Sequence, residues 1–154
     1  MYAYALPDDA KCCGYLVCEL AEKGSLDNLW KSDLGHERLS LFRRRIQIAL
    51  DVMTAIQFLH VGNDQVSSCL RCDIKAANIV LKRDFTAQLI DCGMAKFGFD
   101  ANKSQPKRAT GYLCSDYGSG GMPLEHSCDI FSFGVVLAEL LTGKLQNHND
   151  ADGR

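Results

Sequence analysis

Arg71-Cys72-Asp73-Ile74-Lys75-Ala76-Ala77-Asn78, followed thirteen residues after Asn78 by Asp91-Cys92-Gly93, is the stretch on which the reading of this chain turns. It gathers two carboxylates, an ammonium and a carboxamide into one short run. Between its two halves, Asn78-Ile79-Val80-Leu81 and Ala87-Gln88-Leu89-Ile90 flank the polar turn Lys82-Arg83-Asp84, the pattern of a small β-hairpin. That hairpin returns Asp91 to the side of Asn78, so that both face one point, and Gly93 permits a sharp turn after it. Singly, each residue has a plain structural reading. Asp73 and Asn78 suit an Asx-turn or a helix cap, and Asp91 suits a turn after a strand. Asp129, further on, suits a helix N-terminus, where the dipole favours an acid. None of these readings accounts for the order of all four.

Outward from this stretch, the periodicity is helical on both sides. Phe42, Ile46, Ala49, Met53 and Ile56 trace one face of a helix, and Ile48, Val52, Ala55 and Leu59 trace an adjacent one. Together they predict a wide apolar stripe and a mostly buried helix, with Arg43-Arg44-Arg45 on a solvated face. Downstream, Ile130 to Leu141 is nearly all apolar and meets Gly143 after Thr142, which predicts a central helix with a glycine stop. Residues 92–120 have little periodicity and several glycines and are expected to form a long functional loop. Near the start, the runs 1–6 and 12–19, split by Pro7-Asp8-Asp9, predict a hairpin. Ser25 then caps a short helix whose apolar side is Leu26, Leu29 and Trp30, and Lys31 to Leu39 reads as loop. Gln146 to Arg154 is a polar tail, and there are no internal repeats.

Composition narrows the class. The 154 residues are 47% hydrophobic and 23% charged, ordinary for a globular domain. A net charge of −2 gives no electrostatic case for nucleic acid or an anionic membrane as partner. No run approaches the ~20 apolar residues of a membrane span, and the N-terminus lacks the pattern of a signal peptide. Eight cysteines are then expected as reduced thiols. Cys69 and Cys72 have zinc-knuckle spacing, but the only other pair, Cys12-Cys13, is adjacent, so no tetrahedral set is completed.

Phosphoryl transfer requires a carboxylate to accept the proton of the attacking hydroxyl, a cation on the moving phosphate, and oxygen ligands for Mg²⁺. Asp73, Lys75, Asn78 and Asp91 are the residue types for those roles. On these residues the chain resembles the eukaryotic protein kinase family, of the receptor-like, tyrosine-kinase-like serine/threonine type. The family's His-Arg-Asp-Leu-x-x-x-Asn stands here as Arg71 to Asn78, and its Asp-Phe-Gly as Asp91-Cys92-Gly93. Leu16 to Leu26 is similar to the family hinge, and Asp129-Ile130-Phe131-Ser132-Phe133-Gly134 to the start of its central helix.

The resemblance implies an α+β kinase-like fold, mostly the helical large lobe with the last hairpin of the small lobe. It implies a hairpin at 1–19, a hinge at 20–24, a large lobe at 25–145 and a tail at 146–154. It implies ATP and Mg²⁺ as cofactors, a protein substrate and a cytoplasmic location, including the intracellular part of a longer, membrane-attached protein. Asp73 is expected as the base, Lys75 as the phosphate cation, and Asn78 and Asp91 as metal ligands. Cys18 is expected as gatekeeper, the backbones of Glu19 and Ala21 on adenine, Val80 beneath the base, and Asp129 as the brace of the catalytic loop.

Several positions depart from the family pattern. Arg71-Cys72 replaces His-Arg, so the usual pairing of that arginine with a phosphorylated loop is absent. Cys92 replaces a buried aromatic, Ala109 falls where the substrate-loop Thr is expected, and Cys114-Ser115-Asp116 keeps only the acid of Ala-Pro-Glu. The family's Gly-rich loop, strand Lys and partner Glu precede the hinge, where this sequence begins, and the later large-lobe helices follow its end. The 154-residue chain alone is therefore expected to lack measurable kinase activity. The alternative expectation is a degenerate kinase-like module that binds nucleotide or a partner without turnover.

Overall fold

Ile48, Ala49, Val52 and Ile56 recur at helical spacing and are all buried, and they fix how the longest helix lies. A computed structural model describes residues 2–5, 14–32, 39–62, 68–97, 111–112 and 125–145. In chain order the elements are β1 (Ala3–Ala5), β2 (Tyr15–Val17), α1 (Leu26–Trp30), α2 (Phe42–Val61), β3 (Cys69–Leu70), β4 (Ile79–Leu81), β5 (Ala87–Leu89), β6 (Lys96–Phe97) and α3 (His126–Thr142). Short 3₁₀ turns cover Ala76–Asn78 and Cys92–Met94. The result is the expected α+β architecture. One core joins α1, the inner faces of α2 and α3, and the β4–β5 hairpin.

The local signals act as anticipated. Ser25 Oγ accepts from Asn28 N at 3.2 Å and caps α1, which buries Leu26, Leu29 and Trp30. At the end of α3, Gly143 adopts φ +72°, and its N–H bonds Glu139 O at 2.8 Å. A Cβ there would also lie 3.0 Å from Arg45 Nη1, so the position favours glycine twice over. All three sheets are two-stranded and antiparallel: β1–β2, β4–β5 and β3–β6. The β3–β6 pair, Cys69 with Phe97 and Leu70 with Lys96, orders the start of the segment expected to be loop. Pro7-Asp8-Asp9, most of that segment and the tail 146–154 lie outside the described residues.

Two expectations about the helices are corrected. Among the described residues the stripe on α2 is narrow: Phe42 is 60% and Met53 45% exposed, because the face toward α3, β3 and β5 makes most of the helix's contacts with other described elements. Nor do the three arginines share one solvated face. Arg45 donates to Leu39 O and Leu140 O, placing a cation against the carbonyl end of α3. Arg44 stacks on the Phe85 ring at 3.8 Å. The central helix α3 begins at His126, buries Phe133, Val136 and Leu140, and leaves Ile130, Phe131 and Leu141 about half exposed.

The narrow stripe has a measurable consequence. Ile48→Ala is expected to lower unfolding stability by about 2–5 kcal/mol, whereas Phe42→Ala should change it by less than about 0.5 kcal/mol. Urea unfolding of the two variants decides between a narrow and a wide stripe; equal losses would restore the wide one.

Candidate active site

Asp129 sits in the first turn of α3 and is fully buried. Its Oδ2 accepts from Arg71 N at 2.7 Å and from His60 Nε2 at 2.8 Å, and its Oδ1 accepts from Cys72 N at 2.8 Å. One carboxylate thus joins α2, α3 and the catalytic stretch through charge-assisted hydrogen bonds. Cys72 is held at φ +61°, a left-handed conformation unfavourable for a side-chain-bearing residue. The clamp on its N–H retains it there and turns the chain so that Asp73 follows on the open side.

Beyond that turn Ile74 is fully buried, and the polar residues close on one another. Lys75 Nζ donates to both carboxylate oxygens of Asp73 at 3.0 and 2.9 Å. Asn78 Nδ2 donates to Asp73 Oδ2 at 2.7 Å and to Asp73 O at 2.9 Å. Both of those partners are acceptors, which fixes the carboxamide with its nitrogen toward Asp73 and leaves Oδ1 as its acceptor end. The Asp73 carboxylate, with about four lone-pair sites, takes three hydrogen bonds here and keeps room for one more donor.

The β4–β5 hairpin returns the chain as the sequence implied: Ile90 N donates to Asn78 O at 3.0 Å. Asp91 follows in a left-handed conformation, φ 62° and ψ 67°, exposed, with Gly93 N 3.4 Å from its Oδ1. Arg71, fully buried, donates from Nη2 to Ile90 O, while its Nε and Nη1 find no acceptor among the described residues. Cys92 is exposed and fills no aromatic position. Asn78 Oδ1 and the Asp91 carboxylate are hard oxygen donors on adjacent backbone, which suits a cation that keeps several waters and bridges phosphates. No three described His, Cys, Asp or Glu side chains converge on a metal, so such an ion would lean on water and nucleotide oxygens.

Residues 23–25 lie across from Val80 and Leu81. Lys23 N donates to Leu81 O at 3.0 Å, Leu81 N to Gly24 O at 2.9 Å, and Ser25 bridges Val80. Glu19 pairs with Lys82 at 3.0 Å, and Arg83 N donates to Glu22 at 3.0 Å, so the segment after Cys18 is fastened to the β4–β5 turn. Cys18 and Glu19 are exposed, Ala21 is half-buried and Val80 is buried.

Some residues of the site carry no local sequence signal. His60 stands 69 positions from the acid it bonds. Tyr112 OH donates to Glu139 Oε1 at 2.7 Å, and Ser132 Oγ donates to Tyr112 O at 2.6 Å, which ties the loop end to α3. Burial and the Glu139 bond push the Tyr112 phenol well above its ordinary value. Ser104, Ala109, Thr110 and Cys114 to Asp116 lie outside the described residues.

A buried acid thus clamps the stretch that carries the Asp73–Lys75–Asn78 cluster, with the hairpin-borne Asp91 beside it. The profile of the family described as "Protein kinase domain" matches residues 4–153, and the chain belongs to that family. It is 37% identical over 145 residues to the LRR receptor-like serine/threonine-protein kinase EFR of Arabidopsis thaliana, covering 84% of this chain and 14% of that protein. It is also 37% identical over 149 residues to the Arabidopsis serine/threonine-protein kinase BIK1, covering 94% of this chain and 36% of that one. With the Arabidopsis receptor-like protein kinase 5 the identity is 33% over 138 residues, 86% of this chain and 14% of the relative. The chain therefore spans between about a seventh and about a third of the length of these relatives. The family uses ATP and a divalent metal, and no described helix is long and apolar enough to cross a membrane.

Thiol chemistry gives a direct check on the clamp's surroundings. Burial, followed by the nearby Asp129 charge, pushes the Cys72 thiol up to about 12, whereas Cys18 and Cys92 are exposed. At pH 8 the Cys72 thiolate fraction is then on the order of 10⁻⁴. Iodoacetamide labelling followed by mass spectrometry should modify Cys18 and Cys92 well before Cys72. Equal rates would show that the Cys72 thiol is accessible and unshifted.

Proposed function

We propose that this chain carries the phosphotransfer site of a serine/threonine-type protein kinase, moving the γ-phosphoryl group of ATP to a protein hydroxyl. The main support is the preformed Asp73–Lys75–Asn78 cluster, with the backbone before Asp91 bonded to Asn78. Asp73 takes the proton of the attacking hydroxyl into its remaining acceptor site. Lys75, already beside that carboxylate, sets its ammonium against the transferred phosphoryl group, and its place two residues after Asp73 is the serine/threonine pattern. Asn78 Oδ1 and Asp91 would hold Mg²⁺, which would supply positive charge against the phosphates.

The same reading assigns adenine to the backbones of Glu19 and Ala21, with Cys18 behind the base and Val80 beneath it. It divides the chain into a small-lobe hairpin at 1–19, a hinge at 20–24, large-lobe residues at 25–145 and a tail, acting on the cytoplasmic side. The exposure of Cys92, where an inward aromatic is usual, favours a second reading in which nucleotide binds without turnover.

Calorimetry with ATP, with and without Mg²⁺, and a radiolabel transfer assay separate the two readings. Asp91→Asn is expected to remove about tenfold or more of the Mg²⁺-dependent gain in nucleotide affinity. The 154-residue chain alone is expected to show no transfer; in a chain extended at its N-terminus by the Gly-rich loop and strand Lys of a relative, Asp73→Asn should leave binding intact and cut transfer by about 10²–10⁴-fold. Binding without transfer by the extended chain supports the second reading, and absence of both in that chain overturns the proposal.

A further inference from the structure

Arg71 stands where the family places a histidine, and nothing assigned so far uses its side chain. Arginine is almost never fully buried unless paired, yet here the whole residue is 0% exposed. Its two ends do different things. The backbone N–H is held by Asp129 Oδ2 at 2.7 Å, while the guanidinium Nη2 donates to Ile90 O. Ile90 N is itself bonded to Asn78 O at 3.0 Å, so both polar groups of the residue before Asp91 are taken.

Among the described residues, the loop beyond buries no side chain. The 3₁₀ turn Cys92–Met94 contains no buried residue, and Asp91, Cys92 and Gly93 are all exposed. Where an inward aromatic would pin such a loop by packing, this chain has a short, exposed thiol at the edge of a cleft lined by Phe58, Leu59 and Leu89, and a long cation beneath. The β3–β6 pairing resumes only at Lys96.

We infer that Arg71 is a positioning residue for the metal-binding loop: a buried guanidinium that latches the Ile90 carbonyl to the Asp129 clamp. The inference rests on the reading of Asp91 as a metal ligand for its purpose, but the latch itself is measurable without any ligand. A bond from a charged donor to a carbonyl is stronger than a neutral one.

Hydrogen–deuterium exchange of the 154-residue chain, compared with R71M and R71K, tests the latch. R71M keeps length and apolar bulk but no donor. It is expected to speed exchange across residues 90–95 by about tenfold or more, the scale of one hydrogen bond to a charged group, while 79–89 and 126–142 hold their rates. R71K, which keeps a charged donor, should restore most of the loop's protection. Unchanged exchange at 90–95 in R71M, or the same acceleration in all three segments, would overturn the latch. Should R71M not fold, R71H gives the same comparison, since the shorter ring loses the reach to Ile90 O; loop-only acceleration is again required. The Mg²⁺-dependent part of nucleotide affinity is read alongside. Its selective loss in R71M supports the purpose. A latch seen by exchange in a chain with no Mg²⁺-dependent binding overturns the metal reading and leaves the latch standing.

Discussion

The carboxylate of Asp129 is the point through which the rest of the structure is tied. A charge taken out of water is tolerated only when hydrogen bonds replace its hydration, and here three donors from two separate parts of the chain do so. Each donor is itself otherwise without a secondary-structure partner. Arg71 and Cys72 lie between β3 and the 3₁₀ turn, where no ladder supplies an acceptor, and the His60 ring projects from the end of α2. Acid and donors thus satisfy one another, and the left-handed turn at Cys72 is held by a bond to the same carboxylate.

The polar cluster follows from that turn. Once Cys72 is reversed and Ile74 is buried, Asp73 and Lys75 are left on the same open side, and the 3₁₀ turn brings Asn78 back to them. The cluster is therefore organised before any ligand arrives, which is what electrostatic catalysis requires of its groups. The loop that carries Asp91 is organised differently. Its backbone is pinned by Asn78 O and by Arg71, while Asp91 and Cys92 are exposed.

What could be read from the sequence is what short-range chemistry decides. The Ser25 cap, the Gly143 stop, the hairpin returning Asp91 to Asn78 and the extent of α2 each depend on neighbours within a turn or two, and each appears as expected. The burial of α2 was not legible in the same way. Its apolar residues surround more of the helix than its neighbours cover, so periodicity alone gave too wide a face. The arginine run was misread for a related reason: composition does not tell a solvated guanidinium from one that ends on a distant carbonyl, as Arg45 does on Leu140. The Tyr112–Glu139 and His60–Asp129 bonds join residues 27 and 69 positions apart, and their partners are set by tertiary packing.

The dependence on Asp129 is open to one direct measurement: the stability of Asp129→Ala and Asp129→Asn by denaturant unfolding, with amide exchange followed at Arg71 and Cys72. The alanine variant removes the acceptor for all three donors and should lose about 3–5 kcal/mol, releasing both amides to exchange. The asparagine variant keeps one acceptor oxygen and should lose distinctly less. An alanine variant within about 0.5 kcal/mol of the unaltered chain, with both amides still protected, would contradict the account.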